Sequence, residues 1–523
     1  MLKRISERTT VVVVIGILLL SAMSLGCPAP QAEVEVEVPQ ELTVGISTDV
    51  EHWCLDKFPG GDARFVWSQI YETLVRVDPD LKVQPGLAES WETPDDGKTW
   101  LFHLREGISF HDGTSFNAAA VVFSYGDGAY VRTTMLRAVA HVEVVDEHTV
   151  KFVLKRPMPL PLYLTHVAWP VMSPTSVNEQ GKFVAAVGTG PFKFDHQVDD
   201  QKIVLVRNDA YWGEKPTLEK VTFKVIPDAT TRVMALERQE VDMIIKVPEA
   251  EVSRLDGEPD ITVHRRLTTF TDFLQFNCLR APFNDLAVRR AVAYAVDTEQ
   301  IVATVLEGIG EPARGRPFSP IMMFANPDLD LFEANVERSK ELLSAAGWQD
   351  IDGDGLLEKD GEVLKATFLV ARGAWAPRHT SIAEAVQGAL REVGMDVEIQ
   401  LLDGGAMREL ETAGDFDIIL RFGYFVWGPY PRHFFIHHTN SPWGHFQDEE
   451  YDQLVNAADM TANPEKQKEL YFMLQNMVIE RLPAFYLVHE EKIVATNAYV
   501  QGYTMTAEAP WLNLDGVYMI EKK

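Results

Sequence analysis

From Glu41 onward the chain alternates between two hydrophobic periods. Strands are predicted where apolar side chains recur at every second residue or form a short apolar run: Glu41–Ser47, Trp100, Phe102 and Leu104 after an Asp96-Gly97 turn, two strands within Val142–Leu154 about Asp146-Glu147, Ile203–Val206, and Val221, Phe223 and Val225. Helices are predicted where the recurrence is three or four. These are Phe65–Val77 through Val66, Ile70, Leu74 and Val77, Ala118–Tyr125 behind a capping Asn117, Thr230–Arg238 behind Asp228, and a segment in which Asp285 caps a face of Val288, Ala291, Val292 and Ala295. Asp297 and Gln300 open another as a capping box, and Gly347 stops one over Glu337–Ala346. Further on the pattern gives helix Ile382–Val393, strand Val397–Leu402, helix Ala406–Ala413, strand Phe416–Phe422, helices Tyr451–Met460 and Glu465–Arg481, and strand Ala484–Val494. Such alternation reads as an α/β protein.

Changes in this pattern divide the chain. Val221–Ile245 is a strand, helix and strand whose strands should lie parallel in one sheet with a right-handed crossover. Before it, Gly188 and Gly190 are free to take positive φ and Pro191 has φ fixed, which predicts a chain reversal. Five prolines (157, 159, 161, 170 and 174) exclude long regular elements just upstream. At 523 residues the chain exceeds one ordinary core. The expected organisation is a first lobe over 41–79 and 188–264, a subdomain inserted into it over 80–187, a second lobe over 265–488, and a return to the first lobe over 489–523.

The N-terminus changes the picture. Lys3, Arg4 and Arg8 precede a short apolar run, Val11–Leu20, as in a secretory signal over 1–27. Ser24-Leu25-Gly26-Cys27 resembles a lipobox, which implies a lipidated Cys27 as membrane anchor, and 28–40 then reads as a tether. In an oxidising compartment Cys54 and Cys278 either pair or stay as separate buried thiols. A net charge of −29 excludes nucleic acid as a partner, because phosphate would repel it.

Enzyme signatures are lacking: there is no P-loop, nucleophile elbow, zinc helix or Cys-x-x-Cys, so no enzyme is expected. Asp350, Asp352 and Asp354 resemble the start of a calcium loop, but its twelfth position is Gly361, so calcium is not expected there and no cofactor is required. The dense cluster lies in Phe416–His445, where four of the 14 histidines (433, 437, 438 and 445) fall together with Arg421, Arg432, Trp427, Tyr430 and Trp443. His433 and His437 would share a face on a helical turn, a workable spacing for two metal-binding imidazoles. The bland alternative is a loop of packed aromatics and solvated histidines.

Three runs carry a resemblance: G-T-G-P-F, R-N-D-x-Y-W-G and V-I-P-D-x-T-T-R within 188–245, the Leu87–Phe116 hairpin stretch, and P-F-N-D-L-A-V-R-R-A-V from Pro282. They resemble the extracytoplasmic solute-binding proteins of peptide and nickel ABC importers, the family 5 class. The resemblance implies a two-lobed periplasmic-binding-protein fold, class II-like, with an extra subdomain in the first lobe. It also implies a monomeric receptor, extracytoplasmic and membrane-tethered, that delivers a dipeptide, oligopeptide or nickel chelate to a permease and its ATPase. A sugar receptor of the same fold, or a signalling or chaperone-like module without a permease, stays open. Peptide-binding members carry an aspartate for the ligand's amine in the region that here is Tyr424–Phe435, which has no acid. The W-G-P-Y run resembles the nickel-binding branch, which implies ligand contacts from Trp53, Arg132, Arg421, Trp427, Tyr430, His433, His437 and His445, with His433, His437 and His445 on the metal. That branch's second arginine has no counterpart, since Ala168-Trp169-Pro170 stands at its place.

Overall fold

Two strands far longer than the rest run side by side through the molecule: Ile261–Phe276 and Ala484–Asn497, paired antiparallel. The structure, a computed structural model, describes residues 38–53, 60–126, 138–372, 378–421, 432–507 and 511–522, without the side chains of 432 and 433. The signal segment, Cys27, Cys54, Arg132, Trp427 and Tyr430 lie outside the described residues. Cys278 is a half-buried free thiol.

Each half of the long pair carries its own strands. On one flank Phe273–Phe276 pairs with Ile418–Arg421, followed by Lys365–Ala371 and Asp396–Leu402, all three parallel. On the other, Val494–Thr496 pairs with Met243–Ile245, followed by Glu41–Ile46 and Lys220–Val225, again parallel. Both strands of the expected crossover unit therefore lie parallel in one sheet, but Glu41–Ile46 sits between them. Separate cores cover the flanks. Val233, Leu236, Ile244, Val252 and Leu255 close over Ile493 and Ala495 in the first lobe, whereas Leu274, Val292, Phe368, Ile382 and Val386 pack together in the second. Phe273, Phe434, Tyr451 and Tyr486 form a further core on the second lobe.

A separate four-stranded antiparallel sheet is built from Ala88–Glu92, Thr99–Leu104, Thr149–Leu154 and Val139–Asp146. Its hairpin turns at Asp96 (φ 52°) and Gly97 (φ 93°), both left-handed, as the Asp-Gly pair predicts. It touches the second lobe where Arg156 reaches Asp459 at 3.4 Å.

Two local expectations change. The helix expected over Phe65–Val77 ends at Ile70: Tyr71 is extended, and Val75–Val77 is a strand. Leu74 and Val75 are both fully buried, so apolar spacing alone could not separate one state from the other. Neither Gly188 nor Gly190 takes positive φ. They are glycines because the backbone passes against the end of the Ala63–Ile70 helix, where a Cβ on Gly188 would lie 2.0 Å from the Ile70 carbonyl oxygen.

His111 sits under that turn. Its Nε2 donates to Gly190 O (3.0 Å) and its Nδ1 accepts from Gly188 N–H (3.4 Å), which fixes the neutral tautomer. Burial drives its pKa down to about 4, against the bond to Gly190. An unfolded histidine protonates near 6.5, so the stability that His111 contributes is present above that pH and lost as pH falls toward 4. Thermal melts of a His111→Gln variant should show a flatter dependence than the wild type between pH 6.5 and 4; parallel curves would refute the assignment.

Candidate functional site

The parallel strands of both lobes end, at their carboxyl sides, toward the middle of the long pair. Ile245 pairs with Val494 in one lobe; in the other, Arg421 pairs with Phe273, which pairs with Tyr486. Between these points lies the stretch 267–272 against 488–491, and only the two-residue strand Glu311–Pro312 adds to it among the described residues. Two sets of strand ends facing one crossing define a cleft, and ligands of open α/β sheets bind outside such ends. The described residues that leave these ends are 47–53, 60–62, 246–248, 372 and 378.

Trp53 stands on the first of these. Its indole donates to Gln197 Oε1 at 2.7 Å, its ring meets Phe194 edge-on at 4.7 Å, and its carbonyl accepts from Tyr71 Oη at 3.4 Å. The loop is anchored by fully buried Asp62, which accepts from Ser47 N–H (2.5 Å), Ser47 Oγ (2.6 Å) and Lys246 Nζ (2.5 Å). Burial would raise this carboxyl's pKa, but Lys246 and Ser47 together hold it below the ordinary value.

In the second lobe the predicted residues separate. Arg421 is partly buried, with Nε on Gln275 Oε1 and Nη2 on Glu411 Oε1. His445 bonds the backbone of the same Glu411 and lies edge-on to Phe416 at 4.6 Å, while its Nε2 is buried with no hydrogen-bond partner. Burial and the charge of Arg421 lower its pKa, so it stays a neutral imidazole. His437 belongs to a different environment. It is 1% exposed, its Nε2 faces Tyr486 Oη at 3.1 Å, and its ring packs on Phe273 and Tyr451. His433 and His437 both fall in Arg432–His437, a 3-10 helix, and the His433 side chain lies outside what the structure describes. Among the described residues the group placed to share a cation is instead Asp350, Asp352 and Asp354, exposed, with ligand atoms within 4.8 Å of one another. These carboxylates already cap their own loop, accepting from Gly353, Asp354 and Leu356 N–H.

Sequence reasoning missed the charged group at the floor of the cleft. Arg378, just before the helix His379–Glu392, donates from Nε to Asp272 Oδ2 (2.9 Å), from Nη2 to Glu490 Oε1 (2.5 Å) and from Nη1 to Glu249 Oε1 (3.3 Å). Asp272 is fully buried and also meets His379 Nε2 at 3.3 Å. Asp272 and Glu490 stand on the two long strands, Glu249 on the first lobe and Arg378 on the second. The signal was available: FTDFLQF and FYLVHEEKIV each place an acid inside an apolar strand.

Two α/β lobes, joined by crossing strands with their strand ends open to one cleft, define a solute-binding protein of the two-lobed type. The chain belongs to the bacterial extracellular solute-binding proteins of family 5, whose middle region matches residues 82–445. It is 30% identical over 399 residues to the nickel-binding periplasmic protein of Escherichia coli, covering 72% of this chain and 74% of that one. With the oligopeptide-binding protein AppA of Bacillus subtilis it shares 27% identity over 473 residues, 86% of each chain. Among solved structures, NikA from Brucella suis in complex with Fe(III)-EDTA superposes with a TM-score of 0.84 at 27% identity, covering 92% of this chain and all of that one.

Proposed function

We propose that this protein is the extracytoplasmic receptor of an ABC importer, anchored through Cys27, that captures a metal chelate such as nickel held by an anionic chelator and hands it to a permease and its ATPase. The likeness at TM-score 0.84 to a protein solved with Fe(III)-EDTA carries this reading. In it Trp53, Arg132, Trp427 and Tyr430 hold the chelator, Arg421 supports the second-lobe wall through Glu411, and His433 and His445 are the metal-facing imidazoles. His445 suits that role because it is neutral with its Nε2 uncommitted. A dipeptide or oligopeptide is the second reading, favoured by the even coverage of AppA.

Thermal melts of the full chain with nickel(II)–EDTA, nickel(II)–histidine and a dipeptide mixture separate the two. A chelate at a hundred times its Kd should stabilise by about 2.7 kcal/mol, and a His433→Ala/His445→Ala variant should lose the shift. A shift with dipeptides alone would transfer the assignment to peptides, and no shift with any of them would sink both readings.

A further inference from the structure

We propose that Glu490, Asp272, Arg378 and Glu249 form a proton-controlled tie between the two lobes, in which a proton on Glu490 leaves the Arg378 guanidinium free to hold Glu249 across the cleft. Four observations carry this. Glu249 begins a helix whose Val252 and Leu255 lie in the first-lobe core, whereas Arg378 precedes a helix whose Ile382 and Val386 lie in the second, so their 3.3 Å contact joins the lobes directly. Asp272 and Glu490 both accept from the one Arg378 guanidinium, at 2.9 Å and 2.5 Å, and two carboxylates crowded on one cation favour a proton on one of them. The long strands lose regular register here, between Leu267 and Thr271 and again between Asp272 and Phe273, so the ladder is weakest where the tie sits. Finally, burial differs among the three acids: Asp272 is 0% exposed, Glu490 16% and Glu249 25%.

With Glu490 protonated, one guanidinium serves two carboxylates, Asp272 and Glu249. Removing the proton puts three carboxylates on one cation. Asp272 cannot leave, being buried on Arg378 Nε and His379. Glu249, the most exposed of the three and the one borne by the first lobe, is released. The other charged neighbours do not intervene: His489 points to the opposite face, toward Thr271 at 2.9 Å, and Glu491 is paired with Arg265 at 2.7 Å. Burial and the charge of Asp272 push the Glu490 carboxyl up to about 8, against the attraction of Arg378, so the switch lies just above neutrality.

Small-angle scattering of the ligand-free full chain from pH 6 to pH 9.5 tests the tie, with circular dichroism melts reporting that each variant is folded. The wild type should expand through one transition centred near pH 8. Glu490→Gln, which keeps a neutral donor toward Asp272, should stay compact throughout. Glu249→Gln, on a partly exposed helix start, should have the expanded dimensions already at pH 6 and no transition, and it serves if Glu490→Gln does not fold. A transition that persists in either variant, or a flat wild type, would overturn the proposal. Because no ligand is added, the outcome is independent of what the cleft binds.

Discussion

Replacing Arg378 by methionine is expected to destabilise the protein by about 3–5 kcal/mol, the cost of stranding buried charge when one partner of an ion cluster is removed. Asp272 would keep His379 alone, and Glu490 would face Asp272 with no cation between them. The loss should be read by urea or thermal unfolding near neutral pH. It should also change the acid limb. In the wild type burial would raise the Asp272 carboxyl, but Arg378 and His379 hold it well below the ordinary 3.8. The stability this contributes is present above that value and is lost as pH falls beneath it. In the methionine variant that acid-induced loss should largely disappear. Equal stability of the two proteins at pH 7 would show that the cluster is not electrostatically closed as described.

Gly188→Ala is the second large expectation. A methyl group there would stand 2.0 Å from the Ile70 carbonyl oxygen and 2.8 Å from its carbon. The carbonyl cannot turn aside without losing the bond it accepts from Gly190 N–H at 2.9 Å. The Phe192–Val198 strand must therefore move off the Ala63–Ile70 helix, at a cost of about 1–3 kcal/mol or more, as for overpacking against unyielding atoms. Gly388→Ala is the internal control. It lies inside the helix His379–Glu392 with nothing within 4 Å of its added Cβ, so the same change there should stabilise by about 0.5–1 kcal/mol. If both variants melt with the wild type, close backbone approach is not the reason for the glycine.

Much of the fold was legible because local chemistry specified it. Asn117, Asp228, Asp285 and Asp297 each accept a backbone N–H at the helix start where the pattern placed a cap. Asp96-Gly97 makes its hairpin for the same local reason. The long strand Ile261–Phe276 was legible only in its last residues. Its first half carries His264, Arg265 and Arg266, which meet partners on Thr496, Glu491 and Asp80 rather than on neighbours in sequence. Histidine density says nothing of direction: His437 meets Tyr486, which lies 49 residues away.

The sequence by itself determined what depends on neighbours along the chain: the alternation of strands and helices, their caps and turns, and the motifs that mark the family. Only the tertiary structure decided where the strands end relative to one another, which turns the two flanks of one sheet into facing walls of one cleft. It also decided that Asp272, Arg378, Glu490 and Glu249 meet, since Asp272 and Arg378 are 106 residues apart and Glu249 and Arg378 129 apart. No local period encodes such a meeting. It follows from the passage of the two long strands between the lobes, which buries Asp272 and gathers three acids on one guanidinium.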